Sequence, residues 1–178
     1  KLLKSGRNDP SEDGSLSRLK SSAKVALFMI TFAVLKKITA MLLDQLKKYR
    51  VVLASKSPRR KQLLEDLGID FSAAQSEDPE FLDPEWAPSE AVCHLAQQKA
   101  ESVFSRLNAE SSDDSLLVIG GDTLVSVDGK VLGKPKDAKD AERMLHLLSG
   151  RSHTVWSGLC VRTARDLRVD YAETEVCF

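Results

Sequence analysis

Two hydroxyls, a proline and two adjacent arginines close a short β-branched, apolar run in Val51–Arg60, VVLASKSPRR. A helical pattern, KQLLEDLG, follows. Ser57 before Pro58 makes a good N-cap pair, because proline at the first helical position lacks only an N–H that would have no partner there. Arg59 and Arg60 then fall in the first turn, with Glu65 and Asp66 at the far end. A helix dipole disfavours cations at its start and anions at its finish, so these charges are inverted relative to what stabilises a helix. A strand–loop–helix junction that offers backbone N–H groups, the hydroxyls of Ser55 and Ser57 and two guanidiniums suits a phosphate group. An isolated SPRR is equally consistent with a solvated first turn, so the rest of the chain has to decide.

Asp122 is the leading candidate for chemistry. It lies just beyond the apolar run Leu116–Ile119, after Gly120 and Gly121. Ligands in open α/β sheets bind beyond the carboxyl ends of the strands. The two glycines are expected to let the backbone approach a ligand and adopt unusual dihedrals. A carboxylate there can orient or deprotonate a water, or hold a divalent metal. The plainer alternative is an aspartate in an ordinary turn. Lys99 stands four residues after Leu95, four before Val103 and seven after Val92. That spacing puts it on or beside the apolar stripe of a helix, where lysine is unusual unless paired. Its ammonium either enters a cleft or snorkels along the stripe edge.

The same segments carry a family resemblance. SKSPRR is followed in order by Glu80 in SEDPE, Lys99 in LAQQKA, Gly120–Thr123 as GGDT, Lys134 in GKP, and SGRSH at Ser149–His153. Across Val51–Phe178 the chain resembles the Maf-type nucleoside triphosphate pyrophosphatases. Its SPRR resembles the dTTP/UTP branch, and the whole is similar to Maf-like domains fused to a methyltransferase-like partner. The resemblance implies an elongated Maf/ITPase-like α/β domain with a mixed sheet and a cleft between two lobes. It implies hydrolysis of a nucleoside triphosphate to a monophosphate and pyrophosphate, with removal of unwanted nucleotides as the role. A non-catalytic nucleotide-binding module, or an inactive fragment of a larger fusion protein, is the alternative.

The resemblance also implies roles for residues. Asp122 matches the general base. Glu80 and Asp122 would hold a divalent metal, Mg²⁺, which takes oxygen ligands and bridges phosphates. Glu77, Asp78 and Asp83 compete with Glu80 in a loop with no register of its own, and the resemblance selects Glu80, whose spacing after Ser76 fits the family pattern; without the resemblance a solvated acidic loop is the plainer reading. Ser55, Ser57, Arg59, Arg60, Lys99, Thr123 and Lys134 would bind the substrate, with Thr123 at a position linked to substrate choice. His153 is expected to be a hydrogen-bonding anchor, outside the catalytic set. Two departures stand out. The family usually has alanine where this chain has Gly121. The family domain also continues into a segment like DKAGAYGIQG, whose lysine and glutamine help hold the substrate. The domain is therefore expected to be incomplete at its C-terminus, and poorly active and poorly folded by itself.

Elements must position these residues. A strand at Val51–Ala54 leads to a helix at Pro58–Leu67 ended by Gly68. A short strand at Ile69–Ala74 precedes an acidic loop, Gln75–Ala87. Ser89 is expected to cap a helix to Leu107, with Val92, Leu95, Ala96, Val103 and Phe104 as its apolar stripe. Leu116–Gly120 suits a buried strand. Thr123–Val127 and Lys130–Leu132 flank Asp128–Gly129, a hairpin signal. Asp137 caps a helix to Leu148, and strands follow at His153–Thr163 and Leu167–Phe178. Strands interleaved with helices, plus a hairpin, predict α/β with a mixed sheet.

The 178 residues allow one ordinary domain with a core. Formal charge sums to zero but is unevenly placed: 11 basic against 4 acidic residues in Lys1–Arg50, and 15 against 22 in Val51–Phe178. An acidic body argues against a broad nucleic-acid surface. To bind an anion it must gather its cations in one cleft, and Arg59, Arg60, Lys99 and Lys134 are the candidates. Cys93, Cys160 and Cys177 are far apart with no CxxC pair, as in reduced, cytoplasmic proteins. The three histidines lack metal-ligand spacing. Residues 1–40 read as an extension before a domain at 41–178. In that extension Lys1–Ser22 is expected to be disordered. The apolar Val25–Leu35 is shorter than the roughly 20 residues that span a bilayer. It suits an anchor fragment, a surface helix or an added core helix. The expected partner is a nucleoside triphosphate, with neither nucleic acid nor membrane, and with room for a homodimer.

Overall fold

The computed structural model describes residue 37 and residues 39–177, so Lys1–Ser22 and Val25–Leu35 lie outside the described residues. The chain divides into two compact units, Lys1–Gln45 and Leu46–Phe178. In the first, residues 39–45 are helical. The second holds every candidate site residue.

β1 (Arg50–Ala54) buries Val51, Val52, Leu53 and Ala54 in succession. Such a run marks a parallel strand covered on both faces. α1 (Pro58–Asp66) starts from Ser57, whose hydroxyl accepts the Arg60 N–H. It ends in a Schellman motif: Gly68 N–H bonds the Glu65 carbonyl and Ile69 N–H bonds the Leu64 carbonyl. Gly68 takes φ +72°, which glycine adopts without strain. This motif commits the N–H groups of residues 68 and 69, so β2 (Ser72–Ala74) is shorter than the expected Ile69–Ala74.

α2 (Pro88–Glu110) begins earlier than the sequence suggests. Its N-cap is Ala87, not Ser89, because Pro88 takes the first helical position and Glu90 folds back to accept the Ala87 N–H at 3.2 Å. It buries Ala91, Val92, Leu95, Ala96, Ala100, Val103 and Phe104, which includes the whole predicted stripe. β3 (Leu116–Val127) and β4 (Lys130–Leu132) form the predicted hairpin, with Asp128 at φ 50° and Gly129 at φ 75° in its turn. α3 (Ala138–Leu148) is capped by Asp137, which accepts the Asp140 N–H at 2.8 Å. β5 (Ser152–Thr163) and β6 (Leu167–Cys177) complete the sheet.

The sheet runs β2-β1-β3-β5-β6, with β4 also on β3. β1 pairs in parallel with β2 and β3, and the remaining pairs are antiparallel. The mixed α/β class is thus the observed one. Val52, Ala54, Leu116, Val118 and Cys160 face α2 and pack on Ala96, Ala100, Val103 and Phe104. Each fully buried Val or Phe of this size contributes about 1.5–3 kcal/mol. α2 crosses the sheet so closely that a Cβ on Gly120 would lie 2.3 Å from the Ala96 carbonyl oxygen, and one on Gly158 2.4 Å from that of Val92. Gly120 therefore serves helix–sheet contact rather than ligand approach, which corrects the reading above. Neither Gly120 nor Gly121 takes a positive φ.

β3 is also longer than expected, absorbing both Leu116–Gly120 and Thr123–Val127. On its β1 side the ladder ends at Ala54–Gly120 and resumes with β4 at Leu132–Val125. Gly121–Leu124 thus form a notch in the sheet, opened where β1 stops. Among the described residues no helix is long and apolar enough to cross a membrane.

Candidate active site

Asp122 sits in this notch. It is not at a strand end, as its glycines suggested, but in mid-β3, paired to Gly158 of β5. What ends beside it is β1, so the carboxylate still stands past the carboxyl end of a parallel strand. β-alternation turns Asp122 to the same face as Gly120, towards α2. There the Lys99 ammonium bonds Asp122 Oδ1. The same ammonium lies 2.9 Å from Glu80 Oε1. Lys99 therefore enters the cleft rather than snorkelling, and it joins the two carboxylates. Lys134, in the loop after β4, reaches the other Glu80 oxygen at 3.4 Å from an exposed position. The hydrogen bond from Lys99 lowers the Glu80 pKa below its ordinary range, partial burial opposes it, and the charges of Lys99 and Lys134 add to the lowering.

The other side of the notch is built by α1. Arg60 Nη2 donates to Thr123 Oγ1 at 3.0 Å and Nη1 to Ser55 Oγ at 3.3 Å. Ser55 Oγ also accepts the Ser57 N–H at 3.1 Å, which tightens the loop before the helix. Thr123 lies on the opposite face of β3 from Asp122, and its hydroxyl meets Arg60. A cleft of about 350 Å³ results, lined by Ser55, Lys56, Ser57, Arg60, Gln75, Ser76, Glu80, Lys99, Asp122 and Lys134.

Most residues named from the sequence therefore converge. Ser55, Ser57, Arg60, Glu80, Lys99, Asp122 and Lys134 line the cleft, and Thr123 joins it through Arg60. Arg59 does not line it and is exposed on α1. Lys56, Gln75 and Ser76 line it but were missed. Lys56 lies inside SKSPRR and could have been found as the residue between two inward hydroxyls. Gln98, which bonds the backbone beside Glu80, has no signal in the sequence.

Glu80 and Asp122 suit a hard divalent cation. Both are oxygen donors, and one ammonium already lies between them. Among the described residues no group of three or more His, Cys, Asp or Glu is gathered as a metal site. A cation here would complete its shell with water and phosphate oxygens, as Mg²⁺ commonly does.

All of these residues fall inside residues 50–178, the segment matched by the model for the family described as Maf-like protein. The chain belongs to the Maf family. Among its relatives is a dTTP/UTP pyrophosphatase of Caldicellulosiruptor saccharolyticus, 43% identical over 129 residues, which cover 71% of this chain and 64% of the relative. Another, from Porphyromonas gingivalis, is 44% identical over 142 residues, covering 77% and 68%. A third, from Bacillus pumilus, is 43% identical over 129 residues, covering 72% and 65%. The chain thus spans about two thirds of the length of these curated Maf relatives. A solved nucleoside-triphosphatase / dITP/XTP pyrophosphatase from Mycobacterium abscessus matches with TM-score 0.47 at 16% identity, over 71% of this chain and 72% of that one. The Staphylococcus aureus Ham1 protein matches with TM-score 0.46 at 18% identity, over 71% and 70%.

Proposed function

We propose that this chain hydrolyses nucleoside triphosphates of the dTTP/UTP kind to the monophosphate and pyrophosphate. The observation that carries the reading is the Lys99 ammonium set between Glu80 and Asp122, in a cleft whose facing wall is an arginine at a helix N-terminus. The relatives' named activity supports it. In the reaction, water attacks the α-phosphorus, the bond from that phosphorus to the pyrophosphate oxygen breaks, and the water's proton passes to Asp122. Arg60, Lys56 and the N-terminus of α1 hold the phosphate chain, with Ser55 and Thr123 fixing Arg60. Lys99 and Lys134 give up their carboxylate partners and turn to phosphate oxygens. Glu80 and Asp122 would hold Mg²⁺, which when bound neutralises phosphate charge. Catalysis of this type rests on positioning and charge neutralisation. Cys93, Cys160 and Cys177 are free thiols, which suits a reducing cytoplasm.

The same lysine favours a second reading. The Lys99 ammonium occupies Asp122 Oδ1, where a water's proton would have to go, and a module that binds nucleotide without turning it over would keep that pairing. Pyrophosphate release from UTP or dTTP by the full chain, with and without Mg²⁺, separates the two. Metal-dependent release is expected. Nucleotide binding by equilibrium dialysis with no pyrophosphate formed would establish the module instead.

A further inference from the structure

Glu80 lies in a long loop between β2 and α2, and an acidic neighbour could take its place. Glu77, Asp78 and Asp83 share that loop. The loop is tied near its start by Arg106, whose Nη2 donates to the Gln75 carbonyl at 3.1 Å. Near its end Trp86 packs on the His94 ring at 4.5 Å, with Phe81 edge-on to Trp86 at 5.7 Å. The first tie lies five residues before Glu80, and the second holds the Phe81 ring but no backbone group beside Glu80.

Gln98 holds that backbone. Its Nε2 donates to the Pro79 carbonyl at 2.8 Å, and its Oε1 accepts the Phe81 N–H at 3.4 Å. The two backbone groups flank Glu80 on either side. One orientation of the side-chain amide satisfies both bonds, since a carbonyl only accepts and an N–H only donates. Gln98 stands beside Lys99 on α2, so the helix that carries the ammonium also carries the clamp on its carboxylate partner. The clamp needs an N–H on the residue after the acid it centres, and Asp78 and Asp83 are each followed by a proline, Pro79 and Pro84, which has none, so the same pair of bonds cannot centre on either.

We propose that Gln98 is a positioning residue that clamps the backbone around Glu80 and so sets which acidic side chain of the loop meets Lys99 and Asp122. What Glu80 does there rests on the function proposed above; the clamp rests on geometry alone.

The test uses the full chain with Gln98→Met, which keeps length and helix propensity while removing both hydrogen bonds. Phe81 is exposed, so its amide relies on Gln98 for protection. Exchange of the Phe81 amide, followed by NMR, is expected to quicken at least ~10-fold while β1 and β3 amides are unchanged. The kcat/KM for UTP is expected to fall about 10- to 100-fold, the range for a misplaced positioning group. In a Glu80→Gln background the same change should add little, because the group it positions is gone. Gln98→Glu keeps the acceptor for Phe81 and loses the donor to Pro79, so it should fall between. Unchanged Phe81 exchange in Gln98→Met would overturn the clamp. So would an equal loss of turnover in both backgrounds. If the unmodified chain releases no pyrophosphate, the proposed function fails, and Phe81 exchange still decides the role of Gln98.

Discussion

On the α2 face of β3, Gly120 and Asp122 meet a helix backbone and a lysine. On the opposite face, Gly121 and Thr123 meet a guanidinium. The first face is electrically closed: Lys99 is shared by two carboxylates, and Glu80 takes Lys134 as well. The second is open: Arg60 is held by two hydroxyls and meets no carboxylate among the described residues. Behind Arg60 lies an apolar groove of about 410 Å³, lined by residues that include Leu63, Ile119, Leu159 and Tyr171. The difference suits the two faces to the separate tasks proposed above. An anion gains charge-assisted hydrogen bonds at Arg60 without displacing anything. A metal cation at the carboxylates has to exchange with Lys99.

The sharpest way to break this comparison is Asp122→Asn. The amide keeps the size, removes the proposed base and leaves Lys99 ion-paired to Glu80 alone, with the amide oxygen still able to accept its hydrogen bond. Turnover is expected to fall about 10²- to 10⁴-fold, the usual worth of a positioned acid or base. Nucleotide affinity should change much less, because the proposed phosphate contacts lie on the other face. Near-normal pyrophosphate release would remove Asp122 from the chemistry.

The adjacent glycines test the two faces by packing. A methyl on Gly120 would collide with backbone, at 2.3 Å from the Ala96 oxygen and 2.9 Å from the Ala100 nitrogen. Helix and sheet would have to separate, so Gly120→Ala should cost about 1–3 kcal/mol or more. In a chain of this size that lowers Tm by roughly 2–4 °C per kcal/mol. A methyl on Gly121 meets the Gly158 oxygen at 3.3 Å and the flexible Arg60 side chain at 3.4 Å. Gly121→Ala should leave Tm nearly unchanged and weaken nucleotide binding slightly by pressing on Arg60. A reversed ranking in thermal melts would show that α2 lies further from β3.

These faces also show what the sequence could reveal. The strand–SPRR–helix junction was legible because caps and turns act locally: Ser57, Gly68, Asp137 and the Asp128–Gly129 turn all stand where propensity puts them. Lys99 was legible because 3.6-residue periodicity exposes a charge on an apolar stripe. The purpose of Gly120 was not, since a helix crossing at 2.3 Å from a virtual Cβ is a tertiary fact with no local trace. Glu80 was selected by resemblance, and Gln98, which holds its loop, was invisible because its partners are backbone atoms 17 and 19 residues away. Arg59 and Arg60 look alike in sequence, and only helix rotation separates them.

That separation is itself testable. Arg60→Ala removes the cation on the open face and should weaken nucleotide binding about 10-fold, the scale of one charge-assisted hydrogen bond. Arg59→Ala should leave binding nearly intact. It should also raise stability by about 0.3–1 kcal/mol, since a first-turn cation opposes the helix dipole. Equal losses of affinity in the two variants would place Arg59 in the cleft as well.

The smallest expected effect concerns the closed face and pH. Bonding to Lys99 chiefly, and the charge of Lys134 after it, lower the Glu80 pKa below its ordinary 4.5. A group whose folded pKa is depressed adds stability that is complete above its unfolded value and fades as pH falls through the folded one. Glu80 therefore contributes no pH dependence between pH 7 and 5, and a shallow loss below pH 4.5. The loss stays shallow because its side chain is 44% exposed and water screens the pair. Lys134→Ala should shift this acid limb only slightly, and added salt should mimic it. Lys99→Met should shift it more, since it leaves Glu80 and Asp122 facing each other as like charges. Urea midpoints measured from pH 7 to pH 3 for the three proteins give the ordering. A Lys134 variant that moves the limb further than the Lys99 variant would show that Glu80 belongs to the loop lysine rather than to the shared site.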